Sequence, residues 1–187
     1  MYLFIGLGNP GSEYKNTRHN IGREIAGAFA REHDFPELHF EKKAKAWIAE
    51  GKIGKEKIAV MLPDTLMNNS GKAIGFFAAF FKIKPERIVL IHDDADIPLG
   101  SAKMSFGRGS AGHKGVESAI RAVKSKNIWR FRIGIAGKRD IPAEKIVLRK
   151  FTPDETKLVK KISKKTIIAL EDLAATSPER AMNSYNT

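Results

Sequence analysis

The chain contains no cysteine. That absence excludes disulfides, thiolate metal sites, iron–sulfur clusters and a cysteine nucleophile together. Long apolar runs are also missing. The longest, residues 74–81, is interrupted by Gly75 and falls far below the roughly 20 residues that a bilayer span requires. No low-complexity segment, internal repeat or Pro/Gly/Ser-rich linker divides the sequence, and 187 residues at about 150 per domain predict one domain over residues 1–187. Residues 2–7 form an apolar, strand-like opening without a basic leader region or small-residue cleavage site, so a cytoplasmic location without membrane association is expected. Acidic residues are the minority: 21 Asp and Glu face 33 Lys and Arg, for a net charge of +12. A surplus of that size fits a polyanionic partner, most economically a nucleic acid, and by charge alone it fits a solubilising surface equally well.

What is present is an alternation of strand and helix patterns. Residues 2–7 and 87–91 read as buried strands, and residues 45–53 and 57–62 as a hairpin turning at 54–56. Residues 102–106 and 131–136 read as further strands. Ile21, Ile25, Ala28 and Phe29 recur at helical spacing and predict a helix over 20–33. Ala73, Ile74, Phe77, Ala78 and Phe81 do the same over 70–81, and a third helix is expected over 114–125. Leu158, Ile162, Ile167 and Leu170 mark one side of a lysine-rich helix in the C-terminal third. The predicted fold is α/β: a single domain with a mixed, twisted sheet flanked by helices on both faces, mixed because of the hairpin.

Three polar segments directly follow strands: Gly8 to Gly11 running on to Asn20, Asp64 to Asn68, and His92 to Asp96. If those strands are parallel, the segments converge at the carboxyl edge of the sheet, where open α/β sheets bind ligands. A glycine-rich stretch, residues 107–115, precedes a helix and could turn backbone N–H groups toward an anion. His19 stands just before a helix start, where the dipole helps keep an imidazole neutral and able to take a proton from water. Asp93 is the best carboxylate to fix its tautomer. Taken alone, a histidine there also serves as a cap or packing residue. His92, Asp93 and Asp96 resemble a hard-metal cluster or, equally, a solvated acidic turn. Asn68 either caps the helix at Ser70 or binds a ligand, and His113 and Lys114 are otherwise ordinary surface residues at a helix start.

Gly6-x-Gly8-x-x-Gly11 after a strand satisfies the dinucleotide fingerprint by letter. The polar run to Asn20 postpones the helix, however, and Glu32 lies inside that helix instead of closing a second strand, so the nicotinamide reading is weak. Gly71-Lys72 lacks the rest of a phosphate-binding P-loop, and no Gly-x-Ser-x-Gly elbow supplies a serine nucleophile.

The run Gly6-Leu7-Gly8-Asn9-Pro10-Gly11, then Tyr14, then Thr17-Arg18-His19-Asn20-Ile21-Gly22 resembles the opening signature of bacterial-type peptidyl-tRNA hydrolases. The similarity continues through Pro63-x-Thr65-x-Met67-Asn68-x-Ser70-Gly71-Lys72-Ala73, His92-Asp93-x-x-Asp96-x-Pro98-x-Gly100 and Gly112-His113-x-Gly115, and on to Ala181-Met182-Asn183. It implies hydrolysis of the ester joining a peptide to the 3′ ribose of tRNA, with peptidyl-tRNA as partner and no metal or organic cofactor. It implies His19 as general base, Asp93 as its stabiliser, and Asn9 as the residue that tells a blocked peptidyl substrate from a free aminoacyl one. Tyr14, Leu66 and Asn68 occupy positions that bind the tRNA end, with Met67 lining the same crevice, and a monomer is expected. The family usually has Asn where this chain has Lys114, which keeps a donor and loses an acceptor and so implies lower activity or an altered substrate set. Leu66 stands where a bulkier aromatic is common, implying looser stacking on terminal bases.

Overall fold

The computed structural model describes residues 1–137 and 142–186. Its strands are β1 (Tyr2–Gly6), β2 (His39–Glu41), β3 (Ala46–Ile53), β4 (Glu56–Pro63), β5 (Ile88–Pro98), β6 (Ala102–Phe106) and β7 (Trp129–Ala136). The helices are α1 (Ile21–Glu32), α2 (Ser70–Phe80), α3 (Lys114–Val123), the single turn α4 (Ala143–Ile146), α5 (Pro153–Ala175) and α6 (Pro178–Tyr185). One seven-stranded sheet runs in the order β2-β3-β4-β1-β5-β7-β6. Its middle, β4-β1-β5-β7, is parallel, and β2-β3, β3-β4 and β6-β7 pair antiparallel, so the expected mixed sheet is present.

β1 reads as an unbroken apolar run because both of its faces are covered. Phe4 points to one side, where it meets Phe29 of α1 in an edge-on contact at 5.3 Å and joins a core with Ile25 and Leu170. Leu3 and Ile5 point to the other, into a core with Ile74 and Phe77 of α2 and Val116 and Ala119 of α3. The alternation of side chains along a strand divides the helices between the faces. Among the described residues, no helix is long and apolar enough to cross a membrane.

Several predicted elements change on inspection. β5 does not stop at Ile91. It runs through His92, Asp93 and Asp94 to Pro98, so this polar segment is strand and not loop. Phe81 follows the end of α2 and is 43% exposed, because Lys82 has a left-handed φ of 51° that turns the chain away. On α5 the buried stripe is Val159, Ile162, Thr166, Ile167, Leu170 and Leu173, and Leu158 is exposed. α5 starts where it does because Thr152 and Glu155 form a reciprocal capping box with Pro153 at the first turn.

Candidate active site

The parallel strands carry residues 7–20 and 64–69 to the carboxyl edge, as β1 and β4 end there. Residues 107–113 take another route. β6 is antiparallel to β7 and ends beside Trp129, at the opposite edge. The loop then returns along the sheet, held by Arg130, whose Nη1 donates to the Gly109 carbonyl at 2.6 Å, and so brings His113 back to Asp93.

α1 lies unusually close to the strands beneath it. A Cβ on Gly6 would meet the Gly22 carbonyl oxygen at 2.6 Å and Ala26 Cβ at 2.7 Å, and one on Gly22 would collide with the backbone of Ile91. These glycines therefore serve helix–sheet contact. The turn after β1 starts no α-helix, since a single 3-10 turn over Ser12–Tyr14 follows it and α1 begins only at Ile21, and the dinucleotide reading fails on that geometry. The segment just before α1 is clamped. His19 N donates to Val147 O at 2.8 Å, Arg18 N donates to Arg149 O at 3.0 Å, and Thr17 bridges to Lys150. The Arg18 guanidinium grips both Glu155 oxygens at 2.8 and 2.7 Å and lies 4.9 Å from the Phe151 ring centroid. Burial alone would raise the Glu155 carboxyl, but the bonds from Arg18 and the Thr152 backbone hold it below its ordinary value.

Three side chains then meet on one oxygen. His19 Nδ1 lies 2.8 Å from Asp93 Oδ1, and His113 Nε2 lies 3.0 Å from the same atom. The proton positions follow from the partners. His113 Nδ1 accepts from the N–H groups of Gly115 and Val116 at 3.1 and 3.3 Å, so it carries no proton and Nε2–H must donate to Asp93. His19 donates through Nδ1–H, which leaves its Nε2 as an acceptor. Asp93 is 2% exposed. Burial raises its carboxyl, yet His113 and His19 outweigh that effect and hold it well below the usual carboxylate range. His92 Nδ1–H donates to the Asp93 carbonyl at 2.7 Å, and complete burial pushes this imidazole well below its ordinary value, so it is neutral.

One ligand atom from each of His19, Asp93 and His113 lies within 4.8 Å of the others, a spacing that could suit a metal ion. The donor chemistry does not fit. To offer a lone pair at Nε2, His113 would have to move its proton to Nδ1, against the N–H groups of Gly115 and Val116. The acidic run is dispersed as well. Asp94 is paired with Arg132 Nε at 2.7 Å, and Asp96 is exposed. Neither the hard-metal cluster nor the solvated acidic turn describes this segment.

Asn9 is held as firmly as His19. Its backbone N–H donates to Asn20 Oδ1 at 2.8 Å, and Asn20 Nδ2 donates to its carbonyl at 2.9 Å. Its side-chain Oδ1 accepts from Met67 N–H at 2.8 Å, which fixes the amide orientation and leaves Nδ2 unused. Asn9 therefore enters the site as a donor alone. Met67 is buried, and its backbone carries this contact.

His19, Asp93 and Lys114 line a cavity of about 500 Å³, together with Ala95, Val147 and Leu148. Asn9, Tyr14, Leu66, Met67 and Asn68 stand outside that lining, at the ends of β1 and β4. Leu66 and Asn68 are exposed and Tyr14 is half-buried. Asn68 caps nothing, since the cap position of α2 is Asn69. Sequence reasoning missed the pairing of His113, whose only signal was the Gly112-His113-x-Gly115 pattern, and missed Asn20 and Arg132, which act through other residues.

A family model described as peptidyl-tRNA hydrolase matches residues 3–187. The peptidyl-tRNA hydrolase of Clostridium botulinum (strain Kyoto / Type A2) is 39% identical over 187 residues, covering 100% of this chain and 97% of that one. That of Aquifex aeolicus (strain VF5) is 36% identical over 189 residues, covering 98% and 95%. The crystal structure of peptidyl-tRNA hydrolase from Acinetobacter baumannii superposes with a TM-score of 0.93 at 31% identity, covering 100% of this chain and 95% of that chain.

Proposed function

The chain belongs to the peptidyl-tRNA hydrolase family and hydrolyses peptidyl-tRNA, and from that premise we propose that His19 is the general base of the reaction and Asp93 its stabiliser. The single observation that carries this reading is the 2.8 Å bond from His19 Nδ1 to Asp93, which leaves Nε2 ready to accept. Nε2 takes a proton from water as the water oxygen bonds to the ester carbonyl carbon. The imidazolium that forms sits against an ionised carboxylate. When the tetrahedral adduct collapses, the bond to the ribose oxygen breaks and His19 returns the proton to that oxygen. The products are a free tRNA hydroxyl and a peptide carboxylic acid, and neither a metal nor a cofactor takes part.

Asn9 Nδ2 presents its N–H groups to a peptide carbonyl. A free aminoacyl ester has no such carbonyl and carries an α-ammonium, which offers more donors to a donor, so the contact selects blocked substrates. Leu66, Asn68 and Tyr14 meet the tRNA end on one side of His19, and Lys114 meets its phosphates at the mouth of the cavity. The surplus of cationic charge draws the polyanion in. We read the enzyme as a single-domain monomer acting in the cytoplasm, where its substrate is made.

Incubation with N-acetyl-aminoacyl-tRNA and with unblocked aminoacyl-tRNA tests the proposal. Cleavage of the first far faster than the second is expected, with the ratio narrowing in Asn9→Ala. An unchanged ratio in that variant would reject the role of Asn9.

A further inference from the structure

We infer that His113 is a positioning residue that sets how strongly Asp93 holds His19. The inference deepens the reading of His19 as base and rests on it. Asp93 Oδ1 receives two imidazole N–H groups, from His19 at 2.8 Å and from His113 at 3.0 Å. The rings of His19 and His113 lie 5.1 Å apart, and that of His92 packs edge-on against His113 at 4.7 Å. His113 is also the cap of α3, with Nδ1 accepting from Gly115 and Val116. That cap fixes its tautomer, so its proton stays on Nε2 throughout the reaction and points at Asp93.

Two consequences follow. The second bond fixes the rotamer of Asp93, so that Oδ1 faces His19 before substrate arrives. It also divides the acceptor strength of Oδ1, so that the carboxylate grips the His19 imidazolium less firmly than it would alone. The other groups facing this cluster are His92 and Asp94 on β5, Lys114 on α3, and Asp96 and Glu144 across the cavity. His92 is neutral and Asp94 is neutralised by Arg132, so His113 is the partner of Asp93 best placed to act on it.

The two functions of His113 use different nitrogens and can be separated. In His113→Asn the amide oxygen falls near the position of Nδ1 and preserves the cap, while the donor to Asp93 is lost. In His113→Gln the amide nitrogen reaches the position of Nε2 and preserves the donor, while the cap is lost. His113→Asn is expected to lose roughly tenfold in kcat with KM little changed, and to move the acid limb of its pH–rate profile about 0.5–1 unit higher. His113→Gln is expected to melt about 2–4 °C lower, with the acid limb at its parental position. An Asn variant with parental kcat and acid limb would overturn the inference, as would a Gln variant whose limb shifts like that of Asn. A His19→Ala variant, measured alongside, separates the two claims. If it keeps full turnover, the base reading fails; if it is inactive while His113→Asn is unaltered, only the role of His113 fails.

Discussion

Two residues of the site, His19 and Asn9, each have one polar group tied inside the chain and one left over, Nε2 and Nδ2 respectively. Three others, Leu66, Asn68 and Lys114, are exposed, and the Asn68 and Lys114 side chains make no hydrogen bond to the described residues. The first group is aimed before substrate arrives, and the second is free to be ordered by it. Bond-making needs donors and acceptors preset at the position of developing charge, since reorganising them during the reaction would raise the barrier. Gripping a polyanion needs charge and contact area, and flexible groups supply both.

The sharpest way to break this division is to neutralise the group at its centre. Asp93→Asn keeps an oxygen for both imidazoles and removes the charge that balances the imidazolium. Turnover should fall by roughly 10²–10⁴-fold, read in single-turnover hydrolysis, with tRNA affinity almost unchanged. A variant that loses affinity and turnover together would place Asp93 on the binding side. The same carboxylate sets a pH signature. Its folded-state value lies below that of the unfolded chain, so the stability it contributes is complete above the ordinary carboxylate range and is lost as pH falls toward the folded value. The contribution of Asp93 to the melting temperature should be constant from about pH 5 upward and should be lost below about pH 4, so the parent's melting temperature falls more steeply there than that of Asp93→Asn. An equal fall in parent and variant would contradict that assignment.

The smallest expected effect belongs to the exposed side. Lys114→Asn removes one cation at the cavity mouth and should flatten the slope of log affinity against log salt by about 0.7. It should also weaken binding at low salt and raise turnover modestly if an amide there positions water better than an ammonium does. A slope and turnover identical to the parent would show that Lys114 points into solvent.

The same division governs what could be read in the sequence. Helix and strand positions were legible wherever they depend on local periodicity: Ile21 and Ile25 on α1, Ala73 and Ile74 on α2, and the antiparallel pairing of β3 with β4. His19 was legible because it sits just before the start of α1, and Asp93 because it follows the apolar run of residues 88–91. The continuation of β5 through His92 to Asp94 was not. An acidic strand interior is tolerated here only because Arg132 from β7 neutralises Asp94 and two histidines from other elements donate to Asp93, and none of these is near in sequence. The role of His113 was hidden for the same reason, since its loop starts at the far edge of the sheet. Leu158 against Val159 on α5 is a shift of one residue, which the apolar pattern of a lysine-rich helix does not resolve.

The central claim is that His19 moves the proton and does not bind the tRNA. The most direct measurement compares His19→Ala with the parent in single-turnover cleavage of N-acetyl-aminoacyl-tRNA and in equilibrium binding of the deacylated tRNA. The account predicts a loss of roughly 10²–10⁴-fold in the cleavage rate with an unchanged dissociation constant. Parental cleavage by that variant, or a loss explained entirely by weaker tRNA binding, would contradict it.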